Sequence, residues 1–251
     1  MVRYGASGRE VVLRDGGYEA RIVTVGAGLA GLTYRGHKVI VPHRVDECPP
    51  AYLGKVLMPW PNRVAGGAYS WEGTSYDLPV DEPAFGTSLH GFVAFQDWQV
   101  DRADASCVQL STLIAARYSY PWTLLASARY SLDARAGLAV ELSATNVGQG
   151  TAPLGVGFHP YLAIDGIRAD DLELTNPASI IYEADASMIP VAAHDVAGFG
   201  LDFRSPARIG EAGLDHCFAG LPPGTWTVTL RDPNSGVGVS LSSDARWLQV
   251  Y

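Results

Sequence analysis

The stretch Gly155-Val-Gly-Phe-His-Pro-Tyr-Leu162 holds a single histidine, His159, behind two glycines and ahead of a proline. An imidazole titrates near neutrality, so one held on stiff backbone suits proton transfer as a general acid or base. Pro160 has no N–H and cannot continue a ladder. The apolar run before it reads as a strand that breaks at this point. The same placement also fits a histidine that merely satisfies hydrogen bonds in the interior. Position 159 taken alone leaves both readings open.

Other residues have matching chemistry. The fork-like donors Asn62 and Arg63, the imidazoles His90 and His159 and the carboxylate Asp215 suit the donors and acceptors of sugar hydroxyls. Trp60, Trp71, Tyr161 and Phe218 offer flat apolar faces that a pyranose could lie against. Each has a plainer reading: Arg63 as a structural ion pair, Asp215 as a turn cap, each aromatic as core packing. The histidines at 37, 43, 90, 159, 194 and 216 form no H-x-x-x-H or H-E-x-x-H pair, so no metal is expected. A Gly-x-Ser-x-Gly elbow and a Walker-type loop are also absent.

Composition narrows the class. At 251 residues and 47% hydrophobic, the chain can bury a sizeable core as one domain. A net charge of −8 argues against nucleic acid or an anionic membrane as partner. No apolar run approaches the roughly 18 residues that span a bilayer, and Met1-Val-Arg-Tyr-Gly lacks the apolar core of a signal peptide. Cys48, Cys107 and Cys217 are far apart and odd in number, which fits reduced thiols in a cytoplasmic protein.

The elements that must position these residues read as strands. Tyr18–Val25 alternates. Gly26-Ala-Gly-Leu-Ala-Gly31 matches G-x-G-x-x-G, with acidic Asp46 and Glu47 downstream, but a dinucleotide site needs a helix next. Leu32 to Val41 instead reads as two short strands around a turn, and the glycines as hairpin residues. Pro59 and Pro61 hold Trp60 extended. Gly66-Gly67 make a turn, Ala68–Trp71 and Ser75–Leu78 a hairpin, and Pro79–Ser88 a loop that delivers Leu89-His-Gly91. Strands are expected at Phe92–Asp101, Cys107–Ile114, Leu124–Leu132, Leu138–Asn146, Leu172–Leu174, Ser179–Tyr182, Thr225–Arg231, Val237–Leu241 and Arg246–Tyr251, in an antiparallel meander. No 3.6-residue period is sustained over three turns, and no repeat or linker is found. The expected fold class is all-β, in one domain.

Four motifs in order then carry a resemblance. They are Pro61-Asn-Arg-Val-Ala-Gly-Gly-Ala-Tyr69 with Gly73-Thr-Ser-Tyr-Asp-Leu78; Leu89-His-Gly91; Gly157-Phe-His-Pro-Tyr161; and Leu214-Asp-His-Cys-Phe218. Leu201-Asp-Phe-Arg204 and Trp247-Leu-Gln-Val-Tyr251 add to them. On these residues the sequence resembles the aldose 1-epimerase (galactose mutarotase) family over essentially its whole length. The resemblance implies a β-supersandwich of large antiparallel sheets. It implies a small-molecule sugar, a hexose such as glucose or galactose, as the partner of a monomer or homodimer. It also implies proton transfer without a cofactor. By motif, Arg63 and Asn62 bind sugar hydroxyls with Tyr161 beside them. His90 lies near the ring oxygen, His159 is the general acid that protonates it, and Asp215 holds hydroxyls.

The chain departs from the family pattern at one point. The resemblance places a glutamate base in a Glu-Pro-type motif beyond the segment similar to Trp247–Tyr251, and no glutamate follows Glu211. The expectation is a shortened or incompletely recorded version of a longer enzyme, lacking the family's C-terminal strands. The competing readings are a sugar-binding protein without the base, and a hexose-6-phosphate 1-epimerase. The last would need arginines such as Arg44, Arg117 and Arg168 to converge on a phosphate.

Overall fold

The computed structural model describes residues 4–251. Met1, Val2 and Arg3, the start of the segment read as lacking a signal-type apolar core, lie outside the described residues. The chain divides into two compact units, one ending at Tyr161 and the other comprising Leu162–Tyr251.

Among the described residues the first unit holds fourteen strands. In chain order they are β1 (Glu10–Asp15), β2 (Tyr18–Val23), β3 (Gly28–Tyr34), β4 (His37–Lys38), β5 (Val56–Leu57), β6 (Arg63–Ala65), β7 (Ala68–Trp71), β8 (Thr74–Asp77), β9 (Thr87–Leu89), β10 (Gln99–Ala103), β11 (Cys107–Ile114), β12 (Leu124–Asp133), β13 (Gly137–Asn146) and β14 (Gly157–Phe158). They form antiparallel sheets β1-β2-β3-β4 and β10-β11-β12-β13 and the two-stranded pairs β5–β14, β6–β9 and β7–β8. Strict alternation explains β12: Leu124, Ala126, Ala128, Tyr130 and Leu132 point inward and are at most 4% exposed, with polar or less buried residues between them. β1 and β2 lie against β11 and β12, so Leu13, Ala20 and Ile22 share the interior with Val108 and Leu110.

The second unit holds a 3-10 turn at Ala169–Asp171, β15 (Glu173–Thr175), β16 (Ile180–Ala184), β17 (Pro190–Asp195), α1 (Val196–Phe199), β18 (Ala207–Arg208), β19 (His216–Ala219), β20 (Trp226–Arg231), β21 (Gly238–Ser243) and β22 (Leu248–Val250). Two four-stranded sheets result, β18-β15-β20-β21 and β17-β16-β19-β22. Leu174, Phe203, Trp226 and Val228 make one buried cluster, and Ala178, Ile181, Val196 and Phe218 another. The short helix α1 is capped at its start by the Asp195 carboxylate, which accepts from the Ala197 N–H at 2.9 Å, and stopped by Gly200 at φ 84°. Among the described residues no helix is long and apolar enough to cross a membrane.

Several expected elements move. No helix follows Gly26–Gly31; Gly26 turns at φ 72°, while Gly28 to Gly31 lie inside β3. The hairpin of β7 and β8 turns at Glu72-Gly73, one residue earlier than read, and β8 ends at Asp77. Of the expected strand Phe92–Asp101 only the end is strand, in β10. Val93 and Trp98 are fully buried in irregular chain, the Trp98 indole donating to the Val93 carbonyl at 3.3 Å. Apolar content alone does not separate a buried loop from a strand. The loop expected through Ser88 stops sooner, because Thr87–Leu89 pairs with Arg63–Ala65 as β9 on β6. Polar Thr87 and Ser88 are nonetheless buried, at 0% and 2% exposure. β1 and β17, which are not among the expected strands, are held by pairing with β2 and β16.

Gly91 marks a position that only glycine fills. Its φ is +72°, and a Cβ there would lie 2.1 Å from the Met58 carbonyl oxygen. Gly73 has φ +82° but open space around it. Gly91→Ala should therefore cost about 3 kcal/mol or more, strain plus a backbone clash. Gly73→Ala should cost only about 1 kcal/mol of left-handed strain. Thermal melts check this: G91A should fall clearly further than G73A, and equal melting temperatures would contradict the packing described.

Candidate functional site

The segment Lys55–Asn62 is the spine on which the site is assembled. On one side β5 pairs with β14, aligning Gly157 with Leu57 and Phe158 with Val56. The pairing continues past the strand end: the His159 N–H donates to the Lys55 carbonyl at 3.0 Å, and the Gly54 N–H donates to the His159 carbonyl at 2.8 Å. Glycine permits this approach. A Cβ on Gly155 or Gly157 would sit 2.8 or 2.7 Å from the Pro61 ring, closer than side chains pack. On the other side the Phe92 N–H donates to the Met58 carbonyl at 2.7 Å, and the His90 N–H to the Asn62 carbonyl at 3.0 Å. Two stretches some seventy residues apart in sequence thereby present His90 and His159 to each other.

The two imidazole rings meet edge to face, with centroids 5.4 Å apart and planes at 89°. Tyr161 stacks beside His159 at 5.3 Å, its hydroxyl donating to the Ala51 carbonyl at 3.1 Å. Tyr52 closes on His90 edge-on at 4.5 Å and touches the exposed Phe95 at 5.3 Å. Asn62 and His90 both adopt left-handed backbone, at φ 61° each. Asparagine and histidine tolerate this region better than most residues, and such conformations gather at functional sites.

His90 has a defined protonation state. The backbone N–H of Asn62 donates to its Nδ1 at 2.9 Å, so Nδ1 carries a lone pair and the neutral ring carries its proton on Nε2. Burial, helped by the charges of His159 and Arg63 and opposed by that of Glu82, lowers its pKa to about 3. His90 is therefore a neutral donor through Nε2 near pH 7.

Arg63 is held from behind. Its Nε donates to Glu82 Oε2 at 2.7 Å and its Nη2 to Glu82 Oε1 at 2.8 Å, a two-pronged ion pair with side chains only 15% and 18% exposed. Thr87 Oγ1 donates to Glu82 Oε2 at 2.7 Å. Burial would raise the Glu82 carboxyl, but the hydrogen bonds from Arg63 and Thr87 outweigh it and leave Glu82 below its ordinary value. Nη1 reaches towards Asn62 Oδ1 at 3.4 Å, and the guanidinium lies over the Phe85 ring at 5.1 Å.

Of the residues singled out in the sequence, Asn62, Arg63, His90, His159 and Tyr161 come together in the first unit. Arg63 is also the ion pair that its plainer reading offered. Asp215 belongs to the second unit. It sits just before β19, where its Oδ1 accepts from Gln249 Nε2 at 2.7 Å across the β19–β22 pairing. Trp60 packs edge-on against Phe92 at 4.8 Å, and the Trp71 indole donates to the Thr151 carbonyl at 2.7 Å. Phe218 is a correction: at 1% exposure inside the second unit's core it has no face free for a sugar. Arg44 pairs with Asp46, Arg117 lies 3.8 Å over the Phe92 ring, and Arg168 pairs with Asp170. Among the described residues no group of three or more His, Cys, Asp or Glu is placed to hold a metal. Sequence reading missed Tyr52, Glu82, Thr87 and Gln249. Glu82 and Thr87 sit where loop composition dominates. A buried threonine beside a half-buried glutamate becomes visible only when β9 is paired.

Comparison with known proteins identifies the family and the fold. The family model described as aldose 1-epimerase matches residues 9–251. The uncharacterized protein YihR of Escherichia coli K12 is 41% identical over 245 residues, covering 98% of this chain and 79% of YihR. The galactose mutarotase of Rattus norvegicus is 30% identical over 183 residues, covering 66% of this chain and 52% of the rat protein. The chain thus spans about half the length of that mutarotase. The solved structure of a GalM/aldose epimerase homologue from C. elegans superposes with a TM-score of 0.87 at 23% identity, covering 97% of this chain and 81% of that one. Galactose 1-epimerase from Lactobacillus acidophilus gives 0.76 at 25% identity, over 88% and 72%. The nearly all-β architecture is the galactose mutarotase-like fold, and with the family model matching almost every residue, the chain belongs to the aldose 1-epimerase family.

Proposed function

We propose that the protein interconverts the α and β anomers of a free aldohexose by opening and reclosing the pyranose ring. The observation that carries this reading is the meeting of His90 and His159 at 5.4 Å beside the braced Arg63, in a chain of this family. His159, in its protonated form, donates to the ring oxygen while the C1–O5 bond breaks and a water molecule takes the anomeric O–H proton, giving the open aldehyde. Rotation about C1–C2 and reclosure returns the proton to His159. His90 offers Nε2–H to the ring-oxygen end as a fixed neutral donor, which stabilises charge without competing for the proton. Arg63 and Asn62 bind hydroxyls, and Tyr161 lies beside His159. For Asp215, hydroxyl binding rests on the motif Leu214–Phe218, and the hydrogen bond from Gln249 fixes its carboxylate. The free thiols Cys48, Cys107 and Cys217 support a reducing compartment such as the cytoplasm.

A second reading has its own support. Arg63, braced by Glu82, and the neutral Nε2–H of His90 are donors that hold hydroxyls whether or not a ring opens. A protein of the same fold that binds sugar without turning it over fits that observation. Polarimetry on fresh α-D-glucose, α-D-galactose and glucose 6-phosphate, paired with calorimetric binding, separates the two. Acceleration of the rotation change by the 251-residue chain supports the epimerase and rejects the binder; binding without acceleration does the reverse. If the epimerase reading holds, His159→Ala should remove about 10²–10⁴ of the acceleration, and retention of full activity would remove His159 from the role.

The state of His90 makes a further prediction. Its folded pKa of about 3 lies below the ordinary histidine value of 6.5. Between these values the unfolded chain binds a proton that the native state does not. Stability is complete above about pH 6.5 and falls with acid by up to about 1.4 kcal/mol per pH unit from this group. The His90 ring resonances should stay unshifted from pH 8 to pH 5 in NMR. His90→Gln should lose less stability over that range than the native chain. A normal titration midpoint near 6.5 would contradict the buried, Asn62-bonded ring.

A further inference from the structure

We infer that Glu82, braced by Thr87, is the positioning residue that fixes the guanidinium of Arg63 as a ready-made ligand for vicinal hydroxyls. This rests on the proposed role of Arg63 in sugar binding. A guanidinium has five N–H donors in one plane. Glu82 takes Nε–H and one Nη2–H, at 2.7 and 2.8 Å, which closes one edge of the fork. One Nη1–H is turned towards Asn62 Oδ1 at 3.4 Å. The donors at the far end, one on each terminal nitrogen, remain for a ligand, and their spacing suits two neighbouring oxygens.

The brace is itself well determined. The Glu82 N–H donates to the Thr87 carbonyl at 3.1 Å, and the Thr87 N–H donates back to the Glu82 carbonyl at 3.3 Å. The Thr87 side chain is fully buried and commits its hydroxyl to Glu82 Oε2. The neighbouring Asp81 carboxylate accepts from the Leu89 N–H at 2.8 Å. Arg63 and Leu89 face each other in the β6–β9 register. The strand pair that carries Arg63 and leads into His90 therefore also fixes the carboxylate that aims Arg63.

The brace has two physical effects. An arginine side chain carries about 2 kcal/mol of rotamer entropy; with Glu82 in place this is lost on folding and not again when sugar binds. The guanidinium charge is also balanced before a neutral sugar shuts out water, which limits the desolvation penalty of a lone buried cation. Glu82 acts through Arg63 and touches no reacting atom. Held in two ion-pair hydrogen bonds and one from Thr87, it is poorly basic and unsuited to taking the anomeric proton.

The test joins arginine side-chain NMR to steady-state mutarotation on the full chain. One Nε–H signal should vanish in Arg63→Lys and so identify Arg63. It should be protected from solvent exchange in the native protein and lose that protection in Glu82→Gln. Unchanged protection in E82Q would overturn the inference whatever the protein catalyses. In kinetics, E82Q should raise KM about tenfold with kcat changed less than about threefold, the loss of one charge-assisted hydrogen bond in binding. Adding E82Q to Arg63→Ala should change kcat/KM by less than about twofold, because the residue it positions is gone. A double variant worse than R63A by the full E82Q factor would show a general structural role and overturn the proposal. Native protein without turnover would defeat the proposed function alone. The NMR arm, with the same double-variant comparison made on sugar affinity, would then decide the role of Glu82.

Discussion

The contact on which the site depends is the reciprocal bonding of Asn62 and His90. The backbone N–H of Asn62 donates to the His90 ring, and the backbone N–H of His90 donates to the Asn62 carbonyl. Both residues bend into left-handed backbone to do so. These two bonds together orient the His90 ring, select its tautomer and dock the Leu89-His-Gly segment on the spine Lys55–Asn62. A neutral, directional donor results where an ordinary histidine would change charge near physiological pH.

The spine works because it is accommodated on both flanks by missing side chains. Gly155 and Gly157 let the His159 segment pass against Pro61, and Gly91 lets the His90 segment pass against Met58. Close backbone approach puts the two rings on neighbouring tracks without help from long side chains. Arg63, next along the chain, is then held from outside by a carboxylate on the loop that pairs back onto it. Each functional group has its freedom removed by a different device: a backbone bond to the ring, a strand pairing and an ion pair. Such preorganisation lets a small polar site act on a ligand without reorganising at the moment of reaction.

Much of this was legible in the residue order. Strand-like runs bounded by polar or Gly/Pro joints located β11, β12 and β13 to within a residue. Type and spacing picked out Asn62, Arg63, His90, His159 and Tyr161, whose chemistry is uncommon enough to stand out from a core. The reading failed where polarity and burial part company. Val93, Ala94 and Trp98 are apolar and buried, yet irregular. Thr87 is polar yet buried, and Glu82 half-buried, because they satisfy each other and Arg63. Phe218 had the right chemistry to face a sugar, and packing claimed it for the interior.

The sequence by itself determined the all-β class, the family and the inventory of site groups. Hydrophobic period and ordered motifs are local properties that survive without coordinates. Tertiary structure alone decided which tautomer His90 adopts, that Glu82 stands behind Arg63 and that Gly155 and Gly157 are glycine for clearance. The reason is range. Each of these depends on atoms brought together from dozens of residues apart, such as Asn62 with His90 or Pro61 with Gly157. Burial and partner geometry at that distance leave no periodic trace in the chain.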